Sequence, residues 1–295
     1  MRKYLQSFFV RFGVEEKTAE NILAAFDQIG EEKFQLLDEI YAECNDFKIL
    51  KAAQENLVRD TSIHVYTVNL LTAVCLFRRL ELRHAARGID KAITELTLRD
   101  LIYKLRECQT VYGVDGVMAF EWYRGILEER TFGLGRLQFE IAKYRWEEKY
   151  VCRDGVLQLD DAVLSVHIPS SGEPLTKEAC HTSYQAAYAF FTRFFPECFS
   201  KKIPFVCSSW LMYPKNRQIM PDARNIVRFL DDFTIIKEGE YKTNDLVVWR
   251  IFGVEKMEDA NALPEDTRLQ KNVKEFLVNG GMLGWGYGVF YLDAK

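Results

Sequence analysis

The stretch "AVLSVHIPSSGEPLTKEACHTSYQAAYAFFTRFFP", Ala162 to Pro196, changes period at its middle. It opens as a near-continuous apolar strand, Ala162 to Ile168. Pro169, Ser170, Ser171, Gly172 and Pro174 break that pattern, and it resumes at helical spacing with Cys180, Tyr184, Ala187, Phe191 and Phe194 in one stripe. Thr176 stands where an N-cap is needed, Leu175 and Cys180 occupy hydrophobic-staple positions, and Pro196 lies past the end. A strand, a loop of small residues and a helix N-terminus in succession can cradle an anion on backbone N–H groups. The same residues also suit a tight connection. Only one glycine is present, Pro174 has no N–H, and Lys177 in the first turn has Glu173 and Glu178 beside it as partners.

Upstream, the first 131 residues read as helix throughout. Leu98, Leu101, Ile102, Leu105 and Cys108 form one stripe with Thr97 as its expected N-cap. The run from Thr61 to Phe77 holds no formally charged residue apart from a possible proton on His64, so it reads as a buried central helix. The period shifts at Gly133. "GRLQFEIAKY" alternates, with Leu137, Phe139 and Ile141 on one face and Gln138 and Glu140 on the other, and a sheet is expected from about Arg136. Asp154-Gly155 is a hairpin signal. Downstream, "PFVCSSWLMY" reads as a strand and Pro221 opens a helix carrying Ile226, Phe229, Leu230 and Phe233. "FTIIKE" and "LVVWRIF" read as two further strands, and a last helix with Leu269, Val273, Phe276 and Leu277 stops at Asn279-Gly280-Gly281. The glycine alternation in "GWGYG" allows another backbone to approach closely. The expected class is α+β, with an all-α domain over residues 1–131 followed by a mixed-sheet α/β domain over 132–295.

The balance of the chain restricts its partners. A formal charge of −4 over 295 residues supplies no overall basic field, so neither nucleic-acid nor membrane binding is expected. The cluster Arg78, Arg79, Arg83, His84 and Arg87 reads as a solvated helix end as readily as a nucleic-acid patch. No apolar run reaches the roughly 18 residues needed to span a bilayer. Seven cysteines, Cys44 among them, contain no C-x-x-C pair, and the four histidines lack ligand spacing. This points away from a disulfide framework or a metal and toward a reducing cytoplasm.

In its second half the chain runs strand, hairpin, strand, glycine-containing loop, helix, strand, helix, strand, strand. That order resembles the core of GNAT-type N-acyltransferases. The phrases "GLGRLQFE", "LSVHIPSSGEPLT", "FVCSSWLMYP" and "NIVRF" resemble those of a bacterial group in which a helical N-terminal domain precedes a GNAT-like C-terminal domain. The resemblance covers nearly the whole chain. It implies transfer of an acyl group from an acyl-coenzyme A to an amine. It also implies that Ser170, Ser171, Gly172, Thr176 and Lys177 meet the coenzyme pyrophosphate, although the family's usual Q/R-x-x-G-x-G/A loop has more glycine. The alternative is a non-catalytic relative that keeps the fold and an acyl-CoA pocket.

Chemistry in such a site needs a base for the amine and an acid for the leaving thiolate. Strand alternation puts Val163, Ser165 and His167 on one face, and His167 ends the strand where the family's parallel strands splay. Its unperturbed pKa of about 6.5 suits a base, while a backbone-bonded structural histidine is the competing reading. On the next strand Cys207 or Ser209 is expected within reach of His167, which would permit a covalent acyl-enzyme. A buried cysteine more often simply fills core. Tyr213 is the candidate acid, since "PDARNIVRFLDD" has no tyrosine.

Overall fold

The computed structural model describes residues 1–43 and 46–293; Cys44 lies outside the described residues. Two compact units divide the chain, Met1–Gly133 and Leu134–Lys295. The first is built from helices α1 (Arg2–Phe12), α2 (Glu16–Ile29), α3 (Glu31–Glu43), α4 (Phe47–Arg59), α5 (Val65–Ala86), α6 (Lys91–Leu98), α7 (Asp100–Tyr112) and the short α8 (Arg124–Leu127). Helix α5 is the axis of this unit. Every residue from Thr67 to Phe77 is buried, as a helix without a polar face requires. His64 is not inside that helix but caps it, its Nδ1 accepting from the Tyr66 N–H at 3.1 Å. Thr97 likewise differs from expectation. It lies within α6 with its hydroxyl on the Ile93 carbonyl at 2.8 Å, and Arg99 is the cap of α7.

Four of the basic-cluster residues have partners within this unit. Arg78 and Arg79 both donate to Asp38, whose side chain is 6% exposed. Arg83 donates to the Tyr41 carbonyl and lies over that ring, and Arg87 pairs with Glu129. His84 is buried against Thr94 Oγ1 at 3.0 Å, and burial pushes its pKa down to about 4.

All of the sheet but Thr131–Gly133 lies in the second unit. Its strands are β1 (Thr131–Leu134), β2 (Leu137–Lys143), β5 (Ala162–His167), β6 (Lys202–Ser209), β7 (Thr234–Glu240) and β8 (Gly284–Asp293). The hairpin β3 (Tyr150–Cys152) with β4 (Gly155–Leu157) stands apart, as Asp154-Gly155 signals. Among the described residues the sheet is six-stranded, in the order β1-β2-β5-β6-β8-β7. It begins at Thr131 rather than Arg136. All four residues of β1 are buried, so the segment has no alternation to read. Helix α9 (Lys177–Phe194) covers one face of the sheet through Tyr184, whose ring meets Phe139, Phe205 and Phe290. Burying aromatic side chains of this size is worth about 1.5–3 kcal/mol each. The opposite face gathers Val163, Val206, Tyr287 and Val289 under Tyr144 and Leu157.

After β6 come α10 (Asn216–Ile219), α11 (Arg224–Asp231), α12 (Asp245–Phe252) and α13 (Arg268–Val278). Pro221 precedes α11 instead of opening it. "LVVWRIF" is a correction: it forms α12, not a strand. Val247, Val248, Ile251 and Phe252 are its buried residues, a helical spacing, and Gly253 ends it at φ 69°. The strand position goes to β8, and its glycines have a steric reason. A Cβ on Gly286 would stand 2.1 Å from the Met212 carbonyl oxygen, and one on Gly284 would stand 2.5 Å from the Tyr213 ring. The short 3-10 turn Trp210–Met212 crosses β8 there.

Candidate functional site

The ladder between the two parallel central strands is short. Leu164 pairs with Phe205 and Ser165 with Val206, and the ladder goes no further. Yet β5 stays paired to β2 out to Gln138–His167, and β6 stays paired to β8 out to Ser209–Gly286. Each central strand therefore follows its outer neighbour, and a gap opens between Val166–His167 and Cys207–Ser209. Backbone N–H and C=O groups along such parted edges need partners from elsewhere.

The loop of the opening stretch lies directly beyond this gap. Thr176 caps α9, accepting from the Ala179 N–H at 3.2 Å, and Leu175 and Cys180 are both buried at the staple positions. Lys177 and Glu178, as the first helical residues, have no intrahelical acceptor for their N–H groups. Gly172 adopts φ 81°, a conformation that favours glycine, and the Ser171 hydroxyl accepts from the Glu173 N–H at 3.2 Å. A residue that the sequence reading missed holds the loop in place. Arg136, in the turn between β1 and β2, donates to the Pro169 carbonyl at 3.0 Å and the Glu173 carbonyl at 2.9 Å. Its own N–H is anchored on Ser183 of α9 at 2.8 Å. Neither flanking glutamate forms an ion pair with Lys177. Its charge is instead felt at Asp232, a carboxyl that burial holds above the usual carboxylate range.

Register decides which candidates meet. Paired residues share a face, so Glu140, Ser165, His167, Val206 and Ser208 point to one side and Phe139, Val166, Phe205, Cys207 and Ser209 to the other. The expected approach of Cys207 or Ser209 to His167 is thus not found; Ser208 is the residue on its side. Cys207 is 1% exposed, and burial pushes its thiol up to about 12. Ser209 caps the 3-10 turn, accepting from the Leu211 N–H at 3.2 Å. His167 has a carboxylate partner: its Nε2 lies 3.0 Å from Glu140 Oε2, with both side chains about one-quarter exposed. Glu140 was visible as the polar position of an alternating strand, and the pairing of β2 with β5 gives it this role.

Tyr213 faces the far edge of the sheet. Its hydroxyl donates to Glu240 Oε1 at 3.1 Å, where Lys215 also donates at 2.8 Å. Burial, opposed by Lys215 and reinforced by Glu240, holds its phenol above the ordinary range. Across the gap from His167, Ser208 Oγ accepts from Arg145 Nη2 at 3.0 Å. Among the described residues no group of His, Cys, Asp and Glu could hold a metal ion, and no helix is long and apolar enough to cross a membrane.

Two family models match, an N-acyltransferase N-terminal domain over residues 3–128 and a GNAT-like C-terminal domain over residues 131–290. Comparison with curated proteins finds no match. Among solved structures, one similar fold is an acyltransferase mutant in complex with octanoyl-CoA, at TM-score 0.72 and 21% identity, covering 99% of this chain and 88% of that one. Another is an acyltransferase in complex with decanoyl-CoA and teicoplanin, at TM-score 0.66 and 22% identity, covering 98% and 99%. A third, with decanoyl-CoA, has TM-score 0.69 and 22% identity and covers 98% and 87%. At that identity the likeness establishes the fold, and the family models establish kinship. A helical first unit, a sheet parted between β5 and β6 and both family models together make this chain a member of the GNAT-like family in which an N-acyltransferase N-terminal domain precedes the GNAT-like C-terminal domain.

Proposed function

We propose that the chain is a coenzyme A-dependent N-acyltransferase that moves an acyl group from acyl-CoA to an amine. The parting of β5 from β6 beside the Ser170–Thr176 loop carries this reading. Parted strand edges supply N–H and C=O groups to an amide-bearing pantetheine arm, and the α9 N-terminus suits the pyrophosphate. Structures of similar fold holding octanoyl-CoA or decanoyl-CoA support the donor class. The six free thiols among the described residues support the cytoplasmic reading.

In the reaction the amine nitrogen attacks the thioester carbonyl, the C–N bond forms and the C–S bond breaks. His167 takes the proton that the nitrogen sheds, and Glu140 stabilises the resulting imidazolium. The imidazolium then returns that proton to the departing thiolate, so the products are an amide and free CoA thiol. Tyr213, engaged by Glu240, is not needed for this cycle. That engagement also favours the second reading, a non-catalytic relative that binds acyl-CoA without turnover.

Calorimetry with CoA and thiol release from octanoyl-CoA in the presence of an amine panel test both. Binding with amine-dependent thiol release is the expected result. Binding without release leaves the second reading, and absence of binding overturns both. Gly172→Val is expected to weaken CoA binding. A Cβ there meets nothing within 4 Å, so the effect comes from forcing valine to φ 81° and displacing the loop, not from blocking the ligand.

A further inference from the structure

The gap has two rims on the face that carries His167. If the ladder continued beyond Ser165–Val206, His167 and Ser208 would be the next same-face pair, and they flank the opening instead. One rim holds the His167–Glu140 pair. The other holds Ser208 with Arg145, which comes from the connection between β2 and β3. The Arg145 guanidinium lies 4.9 Å from the Trp146 ring centroid and 5.2 Å from that of Tyr287. Trp146 in turn stacks on Trp285, with centroids 6.2 Å apart and planes 6° from parallel. This guanidinium is held by two rings and a hydroxyl, and among the described residues no carboxylate lies within ion-pair distance of it. Nearby Lys237, by contrast, pairs with Glu148 at 3.0 Å. An arginine fixed in place, accessible and without a counter-ion is suited to an anionic oxygen pair.

Resting on the acyl-transfer reading above, we infer that Arg145 binds an anionic group of the acceptor, so that the acceptor class is an amine carrying a carboxylate or phosphate. The charges of the two rims are complementary to such a molecule. Its amine is drawn to the Glu140–His167 side and its anion to Arg145, which leaves the nitrogen at the gap. The aromatic rim favours an acceptor that also presents an apolar or ring-bearing portion.

The test uses matched pairs of amines with and without the anion: phenylalanine and phenethylamine, tryptophan and tryptamine, leucine and isopentylamine, phosphoethanolamine and ethanolamine. Their binding is measured by calorimetry on the full chain, with and without saturating CoA, so the outcome does not depend on turnover. At least one anionic member is expected to bind tenfold or more tighter than its neutral partner. Arg145→Met should erase that preference while leaving the neutral member's affinity within about twofold, and Arg145→Lys should restore part of it. Equal affinities in every pair, or a preference that survives Arg145→Met, would overturn the inference. So would a loss of CoA affinity in Arg145→Met that dephospho-CoA does not share, since Arg145 would then hold the coenzyme's 3′-phosphate. Thiol release from octanoyl-CoA, measured separately, fails only if the acyl-transfer reading fails.

Discussion

Two histidines, one in each unit, show how differently the two halves of the chain treat polar groups. His84 is buried in the helical unit with Thr94 as its partner, and its charged form is suppressed. His167 sits one-quarter exposed at the end of β5, with the Glu140 carboxylate 3.0 Å from its Nε2. The arginines divide in the same way. Arg78 and Arg79 share one buried carboxylate, whereas Arg145 has ring faces and a hydroxyl but, among the described residues, no carboxylate. In the first unit the basic groups are held on carboxylates and a backbone carbonyl inside the helical packing; beside the gap the exposed Arg145 guanidinium rests on ring faces. The contrast locates function by what remains available, which residue type alone does not reveal.

The largest expected effect breaks or confirms this contrast at His167. His167→Ala should lower acyl-transfer turnover by about 10²–10⁴-fold, the usual loss of a general base. Its thermal midpoint should remain close to the parent's, because the site is partly open and leaves little cavity. Glu140→Gln should retain CoA binding but lower turnover by a smaller factor, since the imidazolium formed on proton transfer loses its hydrogen-bonded carboxylate. A His167→Ala variant with parental rates would place the base elsewhere.

The next effect concerns His84, whose folded pKa of about 4 lies below an unfolded value of about 6.5. The unfolded chain therefore takes up a proton that the folded chain refuses. Stability from this residue is complete above pH 6.5 and falls as the pH drops toward 4, by about 3 kcal/mol at most. Unfolding measured between pH 7 and pH 4 should show a smaller acid loss in His84→Gln than in the parent. Equal losses would mean that His84 is not the buried neutral group described.

A smaller effect belongs to Asp38. Asp38→Ala removes the acceptor of Arg78 and Arg79, but these guanidinium side chains are 42% and 31% exposed and recover water. A cost of about 1–3 kcal/mol in denaturant unfolding is expected, with no change in CoA affinity. A change in CoA affinity would show that the polar network of the first unit is not purely structural.

The sequence was most legible where one period dominates. The central helix, the β5–loop–α9 junction with its Thr176 cap and the Asp154-Gly155 hairpin each announce themselves locally. "LVVWRIF" misled because a seven-residue run with six apolar residues fits either element, and its helical signals are only Asp245 in the first turn and Gly253 past the end. The β8 strand was obscured by glycines whose reason is the turn lying across them. The site was half-visible. His167 and the loop follow from order along the chain, but Glu140, Ser208, Arg136 and Arg145 enter through strand pairing and loop docking, which no local pattern encodes. Register also reversed one reading, since a parallel pairing of Ser165 with Val206 sends Cys207 to the opposite face from His167.

That reversal yields the smallest expected effect and a direct test of the faces. Nucleophilic catalysis by Cys207 requires a thiolate within reach of a base and open to the thioester. Cys207 meets neither condition: it is 1% exposed, burial pushes its thiol up to about 12, and its side chain points away from His167. Its place is among the packed residues between the sheet and its helices, where a thiol acts as a small apolar group. Cys207→Ala should therefore leave turnover within about twofold of the parent and cost roughly 1 kcal/mol of stability, the worth of one small buried group. Mass spectrometry after mixing with octanoyl-CoA should find no acyl adduct on the intact chain. An adduct that disappears in Cys207→Ala, together with a large fall in rate, would mean that the strands can bring this thiol to the gap, and the single-step route through His167 would have to give way to a covalent one.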